Sequence, residues 1–149
     1  MRLSPATLAD IPALLPIGEQ FWRTTGMIHA GLNLDLDSLT ATLTTMMHEP
    51  NQVLFVVKAD GVIVGVVGGF ITPAPFNNKQ SIAQESFWYV LPEHRRGGVG
   101  QALYDTFEAW AKAKGATALV MATIGNKKLH EYYLAHGFHA LESHYFKAL

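Results

Sequence analysis

The stretch from Ile82 to Thr123 constrains the fold of this chain more than any other. A β-rich run, Ile82 to Leu91, is stopped by Pro92. From Val99 onward, Val99, Leu103, Phe107, Trp110 and Ala111 recur at helical spacing opposite Asp105, Glu108 and Lys112, until Gly115 supplies a left-handed stop. Thr117 to Thr123 is again short and apolar. Strand, helix and strand in this order predict a right-handed parallel crossover.

The turn inside that unit is Pro92-Glu93-His94-Arg95-Arg96-Gly97-Gly98-Val99-Gly100. Glycines have no β-carbon, so backbone N–H groups can converge on an oxyanion, and the helix start adds partial positive charge at the same point. Arg95 and Arg96 add full charges beside it. The plainer alternative is a tight strand-to-helix connection with no ligand. A nucleotide P-loop is excluded, because Val99-Gly100-Gln101 stands where Gly-Lys-Ser/Thr is needed, and the dinucleotide pattern fails at Leu103, where its third glycine would be.

Upstream, Arg2 to Pro5 reads as a short strand, Asp10 to Trp22 as a helix, Thr24 to Leu34 as a loop and Asp35 to His48 as a second helix. Val53 to Lys58 and Val62 to Ile71 form a hairpin around Asp60-Gly61. Thr72 to Gln80, with Pro73, Pro75, Asn77 and Asn78, reads as a loop. Downstream, Asn126 to His136 is a helix closed by Gly137, and a last strand is expected within Ser143 to Leu149. The whole of 1–149 is expected to be one domain. The fold class is mixed α+β or α/β: a mostly antiparallel sheet of six to seven strands with about four helices and one parallel crossover.

Composition narrows the function. Apolar residues make up 49% and charged residues 15%, and 11 Lys+Arg stand against 12 Asp+Glu for a net charge of -1. That is a folded globule without the field that collects polyanions, so neither nucleic acid nor membrane is expected as a partner. With no cysteine, thiolate chemistry is absent, and the seven histidines show no metal-ligand spacing. The opening residues lack the apolar core of a signal peptide, which leaves a cytoplasmic location as the expectation.

The turn Arg95-Arg96-Gly97-Gly98-Val99-Gly100, with its approach Tyr89-Val90-Leu91-Pro92-Glu93-His94, resembles the Arg/Gln-x-x-Gly-x-Gly/Ala signature of the GNAT superfamily of acyl-CoA-dependent N-acyltransferases. Asn126, Tyr133, Gly137 and Phe138 match a second pattern of that family. The resemblance implies acetyl-CoA as co-substrate, with its pyrophosphate on the amides of Arg96, Gly97, Gly98, Val99, Gly100 and Gln101 and its pantetheine arm along Tyr89, Val90 and Leu91. It places Glu85 where several members carry a catalytic base, although a polar residue on a half-exposed strand reads equally as structural. Tyr133 matches the usual general acid, or else packs as a core aromatic like Tyr132. Asn126 either caps its helix or bonds the cofactor.

The expected function is acetyl transfer to a primary amine of a small molecule or peptide, the alternative being a silent acyl-CoA sensor. Acceptor contacts are expected from Thr24 to Leu34 and from Thr72 to Gln80. Phe21, Trp22, Phe70 and Phe76 read first as core packing for the most part, and otherwise as a partly apolar acceptor pocket. An exposed sheet edge would also permit a homodimer.

Overall fold

Asp60 and Gly61 both take positive φ, 50° and 83°, and this reverses the chain between two long strands. In the computed structural model, which describes residues 1–149, these are β2 (Gln52–Ala59) and β3 (Val62–Ala74). They follow β1 (Arg2–Pro5), α1 (Ile11–Thr25) and α2 (Leu36–His48), and precede β4 (Asn77–Val90), α3 (Val99–Ala113), β5 (Ala118–Val120) and α4 (Lys127–Ala135). The five strands lie in sequence order, antiparallel except for the parallel β4–β5 pair that α3 connects.

The side chains of the sheet divide between two cores. Leu14, Ile17, Leu43 and Met46 of α1 and α2 meet Leu54, Val56, Val66 and Tyr89 on one face. Val99, Leu103 and Phe107 of α3 meet Phe55, Val57, Val64, Val67 and Val90 on the other. Each such buried side chain contributes roughly 1.5 to 3 kcal/mol, and the two faces together hold the central strands flat against three helices. No helix is long and apolar enough to cross a membrane.

Two expectations are corrected. The sheet has five strands, not six to seven, because Ser143 to Leu149 forms none. Its Tyr145 and Leu149 are fully exposed, and β5 is only three residues long, so neither burial nor a ladder fixes a register there. Thr72 to Gln80 is no loop: the β3–β4 ladder runs on through Thr72↔Ile82, Pro73↔Ser81 and Ala74↔Asn77, leaving only Pro75 and Phe76 at the tip. Cross-strand pairing overrides the local turn chemistry, and Pro73 is tolerated near a strand end.

Asp10, 6% exposed just before α1, accepts from Lys58 Nζ at 2.5 Å and from the Thr7 N–H at 2.9 Å and hydroxyl at 3.0 Å. Burial alone would raise this carboxyl, but Lys58 and Thr7 together hold it below its ordinary 3.8. Its contribution is therefore present above 3.8 and is lost as pH falls through the lower folded value. Lys58→Met should strand the buried charge and destabilise the fold by about 2 kcal/mol, read as a lower urea midpoint with unchanged slope.

Candidate active site

β4 and β5 pair only at Ile82↔Ala118, Ala83↔Leu119 and Gln84↔Val120. Beyond Gln84 the outer edge of β4 is open. There the β3 register jumps from Gly69↔Glu85 to Gly68↔Phe87, so Ser86 is an extra residue in β4. A bulge of this kind re-aims the side chains beside it. Phe87 and Tyr89 face α1, where Phe21 packs on both rings at 6.2 and 5.5 Å. Glu85 would share their face in an unbroken strand. Instead it pairs with Gly69, which looks toward α3: a β-carbon there would fall 2.6 Å from Phe107 Cζ and 2.2 Å from the Gln84 carbonyl oxygen. Gly69 is required by this close approach, and cross-strand partners share a face.

On that face Glu85 meets the chain leaving β5. Its Oε2 accepts from the Ala122 N–H at 3.2 Å. Desolvation raises this carboxyl to about 7, with the Ala122 bond opposing the shift. The Ala122 carbonyl in turn accepts from the Tyr133 hydroxyl at 2.8 Å. One peptide residue thus holds both side chains singled out for proton transfer. Burial raises the Tyr133 phenol far above its ordinary 10, helped by the Glu85 charge, so it keeps its proton at any working pH. Tyr133 is 6% exposed and packs against Trp88 and Phe138.

At the other end of the open edge stands the glycine turn. Gly98 is left-handed, φ 76°, and ends the turn as α3 begins. Arg95 and Gly97 donate their amides to Pro92 and His94, and Ala102 is the first α3 residue to bond back, to Gly98. The N–H groups of Arg96, Gly98, Val99, Gly100 and Gln101 donate to no protein acceptor. They stand at the N-terminus of a 15-residue helix, where a helix dipole favours negative charge. Arg96 is exposed beside them. Arg95 has a different position from its neighbour: Nε donates to the Val90 carbonyl at 2.9 Å and the guanidinium lies 5.3 Å over the Tyr89 ring.

That bond shows which way the main chain of β4 faces. Leu91 donates its N–H to Val64 of β3, 3.0 Å away, so it is turned from the gap. Val90, whose carbonyl reaches Arg95, presents its main-chain groups to the open edge, since N–H and C=O of one residue share a side in an antiparallel ladder. Asn126 caps α4 by accepting from the Leu129 N–H at 3.2 Å, and its side chain also borders the gap.

Of these parts, Glu85, Tyr89, Val90, Arg95, Gly100, Ala122 and Asn126 line a single cleft of about 610 Å³, whereas Leu91, Arg96, Gly97, Gly98, Val99, Gln101 and Tyr133 are not in its lining. It runs from Gly100 and Arg95 past Val90, Tyr89 and Glu85, is bordered by Ala122, Thr123 and Asn126, and ends against α1, α2 and the residues between them. Trp88 forms part of its wall, with Nε1 as the one buried side-chain donor lacking a partner. Tyr132, its hydroxyl 2.8 Å from Gln101 Oε1, ties α4 to the start of α3.

Residues 19–138 match the Acetyltransferase (GNAT) family. The chain belongs to this family. An aminoglycoside N(6')-acetyltransferase type 1 from Klebsiella aerogenes is 35% identical to this GNAT protein over 98 residues, which is 64% of each chain, so less than two thirds of that relative is matched. The crystal structure of aminoglycoside antibiotic 6'-N-acetyltransferase AAC(6')-IG from Acinetobacter haemolyticus, apo, superposes with a TM-score of 0.76 at 18% identity, covering 100% of this chain and 98% of that one. Aminoglycoside N-acetyltransferase AAC(6')-Iy in complex with CoA gives 0.79 at 18% identity, over 99% and 93%. At such identities the structures attest the fold.

Among the expected acceptor contacts of this GNAT protein, Phe21, Trp22, Thr24, Thr25, Met27 and Leu34 line the cleft. Phe70, Phe76 and the rest of the 72–80 segment do not: Phe76 is fully exposed at the hairpin tip. Three features went unread in the sequence. They are the extra residue at Ser86, the shared anchor at Ala122 and the orphaned Trp88 N–H. The adjacent Gly68-Gly69 is the local sign of a bulge; the other two depend on residues far apart in the chain.

Proposed function

We propose that this protein transfers an acetyl group from acetyl-CoA to the primary amine of a small molecule within a ternary complex. The observation that carries this reading is the continuity of one cleft from Arg95 and Gly100, at the edge of the glycine turn, to a desolvated carboxylate at Glu85 and on to the α1–α2 wall. The donor set fits a diphosphate: five unpartnered amides, a helix N-terminus and Arg96. Acetyl-CoA supplies the acyl group already activated as a thioester.

The chain's own groups then divide the work. Val90 presents main-chain donor and acceptor groups to an extended arm at the open edge, in the manner of strand addition. Its N–H is aimed where a carbonyl oxygen would gain charge. An alkylamine, with a pKa of roughly 10.4, arrives protonated and must lose a proton before its nitrogen can attack. Glu85, ionised near neutrality and with Oε1 free, takes that proton directly or through water. As the new C–N bond forms and the C–S bond breaks, Tyr133 gives its proton to the leaving thiolate, its hydroxyl turning from the Ala122 carbonyl to do so. Asn126 keeps the β5–α4 corner in place through its cap.

The relatives named as aminoglycoside acetyltransferases support a small amine acceptor over a protein one. Thiol release from acetyl-CoA, followed against an amine panel, tests the reading: release should require both substrates. Tight CoA binding without release for any amine would mark a sensor instead.

A further inference from the structure

We propose that the acceptor is a monoamine carried on an apolar or aromatic body, and that the acceptor wall of this protein discriminates against polycationic amines such as aminoglycosides. The inference rests on the acetyl-transfer reading above and narrows its substrate class. Sixteen of the 25 residues lining the cleft are hydrophobic, and its only charged side chains are Glu85 and Arg95. Arg95 is a cation and is bound to β4, so one carboxylate serves the whole cleft.

The acceptor half is built from Ile17, Phe21, Trp22, Met27, Leu39 and Phe87. Its polar atoms are turned inward to the protein. Trp22 Nε1 donates to the Leu32 carbonyl at 3.1 Å, and the hydroxyls of Thr24 and Thr25 donate to the Phe21 and Trp22 carbonyls, each at 2.7 Å. What remains is aromatic and aliphatic surface. The free polar capacity of the cleft lies elsewhere, at Glu85, Ser86 and Asn126 along β4 and the α4 corner.

Carboxylates on the framing elements do not supply the missing charge. Glu19 is paired with Arg23 at 2.6 Å, and Asp35 accepts from the Ser38 N–H and hydroxyl at 2.8 and 2.6 Å. Asp10 is tied to Lys58. None of these, nor the exposed Asp37, lines the cleft. A polyamine seated here would bring one ammonium to Glu85 and strip water from the others with no counter-charge, which is strongly unfavourable. A phenyl or indolyl body would instead cover apolar wall, and only its reacting amine would need Glu85.

The test compares kcat/KM for 2-phenylethylamine and tryptamine with kcat/KM for kanamycin and spermidine, at low and physiological salt. The arylalkylamines are expected to lead by about ten-fold or more. Met27→Glu places a carboxylate on the wall at a position already 39% exposed. It should raise kanamycin and lower phenylethylamine while CoA affinity stays the same. Kanamycin or spermidine turned over as well as the arylalkylamines would overturn the proposal and leave acetyl transfer standing. CoA binding with no amine acetylated would sink both. A preference for hexanoyl-CoA over acetyl-CoA, with the acceptor's body immaterial, would assign the apolar wall to the acyl chain and also overturn it.

Discussion

Glu85→Gln is expected to lower kcat/KM for amine acetylation by about 10²- to 10⁴-fold, the range of general base catalysis, while CoA affinity is unchanged. In the parent protein kcat/KM should rise with pH through about 7 as the Glu85 carboxylate forms, and this limb should be missing from the variant's profile. The same change should stabilise the fold. A carboxyl whose folded value is raised from 4.5 contributes stability that is full below about 4.5 and is lost as pH rises through about 7, because ionisation then takes place in a desolvated site. A glutamine of the same shape still accepts from the Ala122 N–H and never ionises. The melting temperature of Glu85→Gln should therefore exceed that of the parent by ~3 °C above pH 7, with the gap closing toward pH 4.5. A fully active variant would remove Glu85 from the chemistry, and one destabilised at pH 8 would show that its carboxyl is not held in a desolvated site.

Gly98→Asp should cut CoA affinity by about 10²-fold or more, since it sets a carboxylate among the amides meant for a diphosphate. No steric clash is introduced: a β-carbon at Gly98 would meet nothing within 4 Å. The left-handed φ of 76° costs a β-carbon about 1 kcal/mol, least for Asp and Asn, and a negative side chain at a helix N-terminus offsets part of that. The fold should consequently survive. CoA at 100 times its Kd stabilises the parent by about 2.7 kcal/mol, a shift of several degrees in a thermal melt, and that shift should vanish in the variant. Gly98→Asn, equal in size and neutral, separates charge from shape and should retain most of the affinity. If Asp binds CoA as tightly as the parent, the diphosphate sits elsewhere.

The proposed mechanism leaves Tyr133 with two bonds to choose between. Its hydroxyl is held by Ala122 and its proton is held more tightly than an ordinary phenol's. Tyr133→Phe should thus lower kcat less than Glu85→Gln does, because a thiolate, the base of a thiol with a pKa of about 8.5, departs without a donor and takes its proton from water. The aromatic cluster of Trp88, Tyr104, Tyr132 and Tyr133 should remain intact in that variant, since it rests on ring packing.

Much of this molecule is legible in its sequence. The 3.6-residue periods of α1, α2 and α3, the Asp60-Gly61 reversal, the Asn126 cap and the glycine-rich step into α3 are local chemistry, set by residues within a few positions of one another. For the same reason the family could be read from two short motifs, Arg95 to Gly100 and Asn126 to Phe138. The errors fell where long-range pairing decides. Turn-forming residues in 72–80 were absorbed into a ladder, and the apolar tail of 143–149 found no strand to join.

Sequence alone determined that the chain would carry a glycine-rich helix start with free amides behind a β-strand, because missing β-carbons and unpaired first-turn amides are properties of the turn itself. Only the tertiary structure decided what stands opposite it. The bulge at Ser86 moves Glu85 to the α3 face, and Ala122, 37 positions away, joins it to Tyr133; Arg95 folds back on Val90, and α1 lends the cleft a wall without charge. Desolvation and strand register depend on every neighbour in space, and no window along the chain contains them.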